Sequence, residues 1–196
     1  MNQGPSRYRT FLYFIAVIGP LVAVLFCYEF LYRYPIWAMR AFRVPSASMC
    51  PTICNGERIF VEMQYGRPYL PKRGDVVMLD YGADHALFLK RIIGLPGDVV
   101  APGPGDTMLV NGKPWQAPPA CAKSLLVESN GDRSAYSGFE ETRIQPGQLF
   151  VVGDNLSNSF DSRIAQFEPV TPAKVIGRPV MIYWSPESAR IGCPVR

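Results

Sequence analysis

Two serines two residues apart, a lysine inside an apolar run, and a Ser–Asp–Arg trio at alternate positions are the residues of this chain best placed to do chemistry. Ser46 and Ser48 lie in Phe42-Arg43-Val44-Pro45-Ser46-Ala47-Ser48-Met49-Cys50-Pro51-Thr52. Each proline fixes its own φ and pushes the residue before it toward extended backbone. The segment is therefore predicted to be a stiff, extended edge with both hydroxyls on one side. Such an edge can pair with another extended chain and present a hydroxyl at a fixed place along it, which suits a protease. A Ser/Pro-rich linker is the alternative reading. Lys90 sits in Leu87-Phe88-Leu89-Lys90-Arg91-Ile92-Ile93. On an edge strand it would only discourage aggregation. Desolvated until its pKa falls roughly two to four units from ~10.4, it would take the proton from a serine hydroxyl. Ser159, Asp161 and Arg163 fall in Gly153-Asp154-Asn155-Leu156-Ser157-Asn158-Ser159-Phe160-Asp161-Ser162-Arg163. If extended they share a side, where they can orient a neighbouring amine and join two segments through a charge-assisted pair. The plainer reading is a polar turn.

The rest of the composition narrows the chemistry. There is one histidine, His85, so a two-histidine zinc site is excluded. A Ser–His–Asp triad would have to use that residue. The five cysteines are Cys27, Cys50, Cys54, Cys121 and Cys193, with no CxxC pair. The last four can pair in three ways, Cys121–Cys193 among them, or remain buried thiols. The formal charge is +4, and residues 1–43 carry all of it, with five arginines and one glutamate. The remaining chain is balanced, at fifteen basic and fifteen acidic residues. A basic excess confined to an apolar N-terminus points to anionic lipid headgroups and away from nucleic acid.

The elements that must hold these residues come in two kinds. Phe11–Tyr28 contains no charged residue over 18 positions, and the apolar character continues to Tyr32. That is about the length of a bilayer-spanning helix. Arg7 and Arg9 precede it and Tyr28, Tyr32, Tyr34 and Trp37 crowd its far end, as interfacial aromatics do. Gly19-Pro20 would kink it, which membrane helices tolerate. A cleaved leader fits less well, because no small-x-small site follows. The expected organisation is a tail over 1–9, a transmembrane helix over 10–32 and a folded domain over 33–196. That domain is predicted to be mainly β and antiparallel. Short apolar runs at 58–63, 75–80, 87–93, 149–152 and 180–184 are bounded by glycine and proline, and Asn111-Gly112 marks a hairpin. Residues 117–143 read as an irregular loop.

The three blocks PSASMCPT, KRIIGLPGD and GDNLSNSFDSR, in that order behind an apolar segment, closely resemble the type I signal peptidases, membrane-anchored Ser–Lys serine endopeptidases. The NGKPW stretch adds to the likeness, which runs from about Phe42 to Trp184. The resemblance implies that Ser48 is the nucleophile and Lys90 the general base. It implies that the Ser48 N–H and the Ser46 hydroxyl form the oxyanion hole, that Ser159 positions the lysine amine, and that Asp161 and Arg163 form a supporting ion pair. It places Phe42, Val44, Pro45, Ile59, Met78 and Leu89 along shallow pockets for small residues, usually alanine, at the first and third positions before the cut. It further implies a β fold shared with the self-cleaving repressors of the DNA-damage response. No metal or cofactor is expected. The expected setting is a monomer in the inner (plasma) membrane, with its catalytic domain outside, contacting lipid and preprotein signal peptides.

Two departures stand out. Leu156-Ser157 replaces the family's usual Arg-Asp, and Cys50 puts a thiol two residues from Ser48. The stretch of about 55 residues between the second and third blocks leaves little room for a large accessory subdomain. Alternatives are a relative that matures or cyclises a conjugative pilin, and an inactive module that binds extended peptides by strand addition. A soluble self-cleaving repressor fits poorly with an apolar N-terminus.

Overall fold

The computed structural model describes residues 16–28, 38–65, 68–105, 107–121 and 139–195. The chain divides into two units, Met1–Ala38 and Met39–Arg196. In the first, residues 16–28 form a helix whose side chains are all exposed, including Val17, Leu21, Val22, Val24, Leu25 and Phe26. Among the described residues no helix is long and apolar enough to cross a membrane. The predicted span over 10–32 extends beyond this helix at both ends, and residues 10–15 and 29–32 lie outside the described residues, as does the tail over 1–9.

The second unit is mainly antiparallel β, as predicted. Its strands are β1 (Met39–Arg43), β2 (Arg58–Met63), β3 (Val76–Tyr81), β4 (Ala86–Gly94), β5 (Val99–Pro102), β6 (Met108–Val110), β7 (Lys113–Trp115), β8 (Thr142–Arg143), β9 (Phe150–Val152) and β10 (Val175–Trp184). A six-stranded sheet runs in the order β1-β2-β10-β3-β4-β9 and a four-stranded one in the order β7-β6-β5-β8. All the apolar runs became strands. The Asn111-Gly112 pair turns β6 into β7 with both residues at positive φ, 51° and 76°, the backbone that a two-residue hairpin demands and that these two residue types tolerate. β5 and β8 were not anticipated, and of β1 only Phe42 and Arg43 lay in the segment read as extended; β8, whose residues are both exposed, exists through its pairing with β5. β8 lies inside the stretch read as irregular loop, of which residues 122–138 are outside the described residues.

Strand β3 shows why the large sheet holds. Val76, Val77, Met78 and Leu79 are all buried, so both faces of the strand are covered. Alternate residues enter different cores. Val76 and Met78 pack with Val44, Met49, Ile53, Ile59, Val61 and Ile182. Val77 and Leu79 pack with Ile92, Val151, Phe167 and Val170. A third core, Ile93, Val100, Met108, Val110, Ile144, Phe150 and Val152, joins β4 and β9 of the large sheet to the small one.

The segment after Arg43 departs from the predicted extended edge. Residues 44–46 continue without sheet pairing, and 48–52 then turn, with Cys50 N–H donating to Ala47 O and Ile53 N–H to Met49 O. The apolar side chains of Met49 and Ile53 favour this turn, because it lets both enter the first core. Cys50 is not a thiol: it forms a disulfide with Cys54, and Cys121 pairs with Cys193. Cys27 is free and exposed.

A fully buried ion pair closes the loop between this turn and β2. Arg190 forks onto Glu57, Nε to Oε1 at 2.6 Å and a terminal nitrogen to Oε2 at 3.0 Å. The same carboxylate accepts Cys54 N–H at 2.7 Å and the Ser185 hydroxyl at 2.8 Å. A buried carboxylate stripped of its cation is far costlier than an apolar replacement of the whole pair. Arg190→Leu should therefore cost about 3–5 kcal/mol in urea unfolding, and Glu57→Met with Arg190→Leu should recover most of that loss.

Candidate active site

Lys90 is the point at which the separate blocks meet. It stands on β4 opposite Val77 of β3 and is 2% exposed. Its Nζ lies 3.3 Å from the Ser48 hydroxyl oxygen, bridging 42 residues of sequence. The ammonium also lies over the Phe88 ring, 5.4 Å from its centroid. Burial lowers its pKa from 10.5 to about 8; Asp161 opposes the shift, Arg163 reinforces it and Asp154 opposes it. The drop falls within the range that proton abstraction from a serine requires. His85, by contrast, sits on an exposed turn with Nδ1 2.9 Å from both oxygens of Asp80. Lys90, not His85, is the base within reach of Ser48.

The carboxylate that most opposes this shift is itself engaged by a cation. Asp161, wholly buried, accepts from Arg163 Nε at 2.8 Å and from a terminal guanidinium nitrogen at 2.9 Å. It also accepts Gly153 N–H at 3.0 Å. The expected Asp161–Arg163 pair is thus formed. Its residues are not extended as the alternation suggested: 161–163 form a turn, which bends the guanidinium back onto the carboxylate two residues away.

Ser159 departs from the expected contact with the lysine. Its hydroxyl is buried and has no hydrogen-bond partner among the described residues, because the Lys90 amine is directed at Ser48 instead. It nevertheless stands beside the loop that carries Ser48. A Cβ built on Gly153 would meet both the Ser159 side chain, with Cβ at 2.6 Å, and the Ser48 carbonyl oxygen. Only glycine lets these two segments approach so closely. Gly153 is one functional position that the sequence reading passed over.

Arg91, the next residue, is another. It follows Lys90 in the apolar run of β4 and is fully buried. It forks onto Asp154 at 2.7 and 2.6 Å and donates to Gly74 O at 2.7 Å and to Thr52 Oγ1 at 3.2 Å. Arg190 donates to Thr52 O at 3.2 Å. Thr52 is therefore held by side chain and by backbone from two buried arginines, which anchors the turn carrying Ser48. Single charged residues in an apolar run signalled burial; nothing local signalled their partners.

Ser46 is exposed, and its hydroxyl oxygen accepts the Ser48 N–H at 3.1 Å. The two groups expected to bind an oxyanion thus converge. Of the residues expected to line pockets, Val44, Ile59 and Met78 are buried together, with Phe42 and Leu89 packed against them. Pro45 is exposed. Phe42 faces Ile59 and Met78 faces Leu89 across their strand pairs. The structure brings five of the six into one apolar cluster. Of the Leu156-Ser157 departure, Leu156 packs against the third core and Ser157 donates to Asn155 Oδ1 at 3.0 Å.

Residues 12–184 match the family model described as signal peptidase, peptidase S26. Signal peptidase I S of Bacillus subtilis (strain 168) is 38% identical over 120 residues, 61% of this chain and 64% of that protein. Signal peptidase I of Bacillus licheniformis is 34% identical over 150 residues, 76% of this chain and 75% of that one. The chain thus spans just under two thirds of the first relative's length and three quarters of the second's. A crystal structure of a signal peptidase I from Enterococcus faecalis V583 aligns with 56% of this chain and 97% of its own, at 26% identity and a TM-score of 0.40.

The depressed Lys90 pKa has a consequence for stability. Below pH 8 the amine is charged in both the folded and unfolded chains, and the desolvation penalty is complete. Between about 8 and 10.5 the folded chain releases its proton first, so stability rises with pH across that window. Lys90→Met removes the penalty. Its unfolding free energy should exceed that of the parent by up to about 3 kcal/mol at pH 7, with the gap narrowing toward pH 10, as read from urea titrations at the two pH values.

Proposed function

The chain belongs to the signal peptidase family, peptidase S26, and on that premise we propose that it is a serine endopeptidase removing N-terminal signal peptides from exported preproteins. The observation that carries this reading is the 3.3 Å contact between Lys90 Nζ and Ser48 Oγ, made by an amine that burial has moved to a pKa of about 8. The relatives are signal peptidases I by description, which favours this reading over maturation of a conjugative pilin.

In the proposed reaction the neutral Lys90 amine accepts the hydroxyl proton as Ser48 Oγ attacks the scissile carbonyl. The Ser48 N–H and the Ser46 hydroxyl turn from one another to the developing oxyanion, where each donor contributes ~10²–10³ in rate. Lys90 then passes its proton to the leaving amine, and a water deprotonated by the same amine releases the acyl group. Ser159 is the proposed second partner of the lysine. Its buried hydroxyl has no hydrogen bond among the described residues, a state that costs about 1–3 kcal/mol, so an N–H of the amine would satisfy it once Ser48 is acylated. Asp161 and Arg163 hold this part of the site as a neutral pair.

The substrate is proposed to add as a strand along β1, which lies at the sheet edge and, among the described residues, pairs only with β2. Small residues at the first and third positions before the cut would face Phe42, Val44, Pro45, Ile59, Met78 and Leu89. For the membrane, residues 10–32 are proposed to span the inner membrane, with 1–9 inside and 33–196 outside. The uniformly exposed apolar side chains of helix 16–28 support this. No cofactor is invoked.

The test uses detergent-solubilised full-length protein, a preprotein with an Ala-x-Ala site, and mass spectrometry of the products. Cleavage directly after the second alanine is expected, and Ser48→Ala and Lys90→Ala should each abolish it. The kcat/KM of the parent should rise about tenfold per pH unit and level off above about 8, since only the unprotonated amine is a base. Full activity in Lys90→Ala would overturn the mechanism.

A further inference from the structure

We infer that Asn155 is a positioning residue for the Ser48 N–H, and that Ser157 holds Asn155 in its working orientation. The inference rests on the reaction proposed above. Its basis is a pair of bonds from one residue to both carbonyls that flank the Ser48 α-carbon. The Asn155 backbone N–H donates to Ser48 O at 3.0 Å. Its side-chain Nδ2 donates to Ala47 O at 3.3 Å, across 108 residues of sequence. Asn155 is only 7% exposed, so little competing water reaches these bonds.

The second of these bonds bears on catalysis. Ala47 C=O and Ser48 N–H belong to one peptide unit, which is planar, with the two groups pointing in opposite directions. Holding the Ala47 oxygen therefore aims the Ser48 hydrogen. The first bond fixes the next peptide plane, so the rotations on both sides of Ser48 are restrained together. The residue that carries the nucleophile thus cannot turn its N–H away without breaking a buried bond.

Ser157 completes the device. A primary amide can present either nitrogen or oxygen to a neighbour, and Ala47 O can only accept. The Ser157 hydroxyl donates to Asn155 Oδ1 at 3.0 Å, occupying the amide oxygen and leaving the nitrogen toward Ala47. Without it, the amide can rotate its oxygen toward the carbonyl it should hold. Leu156, between the two, packs against Ile93, Phe150 and their neighbours in the third core, which keeps the short 3₁₀ turn Leu156–Asn158 in place.

The experiment compares the parent, Ser48→Ala, Asn155→Ala, Ser157→Ala and Ser157→Thr as full-length proteins in detergent, with an Ala-x-Ala preprotein. For Asn155→Ala, kcat should fall by about ten- to a hundredfold with KM within twofold of the parent, as for a misplaced reacting group. The midpoint of the pH–rate profile should not move, because Lys90 and its surroundings are untouched. Ser157→Ala should lose roughly threefold to tenfold in kcat by the same misplacement, and Ser157→Thr should restore it. Titration with an acylating inhibitor counts the competent Ser48 in the parent and in every variant that retains it. Unchanged kcat in Asn155→Ala and Ser157→Ala overturns the inference. So does a fall in kcat matched by the same fall in titratable Ser48, which would mark a fold defect. If Asn155→Ala does not fold, the Ser157 pair decides alone, and failure of Ser157→Thr to restore activity counts against the inference. Equal turnover by the parent and Ser48→Ala overturns the proposed function and this inference with it.

Discussion

The site depends on one constraint: a lysine amine is taken out of water and no carboxylate is allowed to pair with it. Lys90 and Arg91 are adjacent on β4, both buried, and their treatment is opposite. Arg91 receives a forked carboxylate, a threonine hydroxyl and a backbone carbonyl. Lys90 has the Ser48 hydroxyl as its hydrogen-bond partner and an aromatic ring beside it. The nearby Asp161 is occupied by Arg163 and by Gly153 N–H. Had Asp161 been free to pair with the lysine, its negative charge would have held the amine protonated. The Asp161–Arg163 pair therefore offsets, through Arg163, part of the negative charge that would otherwise favour the protonated Lys90 amine.

Holding a weakly solvated amine against a hydroxyl requires that the loop bearing the hydroxyl be fixed. The turn after β1 is tied at several places. Arg91 and Arg190 hold Thr52, Glu57 holds Cys54 N–H, and Asn155 holds the carbonyls of Ala47 and Ser48. A disulfide closes Cys50 onto Cys54. Apolar burial of Met49 and Ile53 supplies the driving force for the turn, and the polar ties set its geometry. The buried charges in this cradle are costly to desolvate, and the cost is met only because each guanidinium forks onto a carboxylate and satisfies further acceptors. The sheet beneath supplies rigidity, since β3 and the inner end of β4 are covered on both faces.

Part of this was legible in advance, and the boundary follows the range of the forces. Short apolar runs between turn residues predicted seven of the ten strands, because period-two burial and turn chemistry are local properties. Where the local pattern was weak, as at Thr142–Arg143, the strand exists through its pairing with Val99 and Val100. The extended reading of Ser46 to Thr52 erred because proline bias describes the isolated chain, whereas two apolar side chains one turn apart drew the segment onto the core. Leu156-Ser157 stood out only as a departure from the family's usual Arg-Asp; the Ser157 hydroxyl meets Asn155 two residues before it, in a turn that residue types alone did not specify.

The amino-acid sequence by itself determined the antiparallel β character of the domain, the apolar N-terminal segment, and the identity of Ser48 and Lys90 as residues capable of proton transfer. Each of these is written in spacing, in turn residues, or in a polar side chain set among apolar ones. Only the tertiary structure decided that the Lys90 amine titrates near pH 8, that Cys50 is a disulfide and not a thiol, and that Arg91 and Arg190 share Thr52. A pKa is set by the water removed from a group and by the charges brought near it, and a disulfide by which sulfurs come within bonding distance. Those quantities depend on side chains many tens of residues apart in the chain, and they acquire values only when the sheets have closed around them.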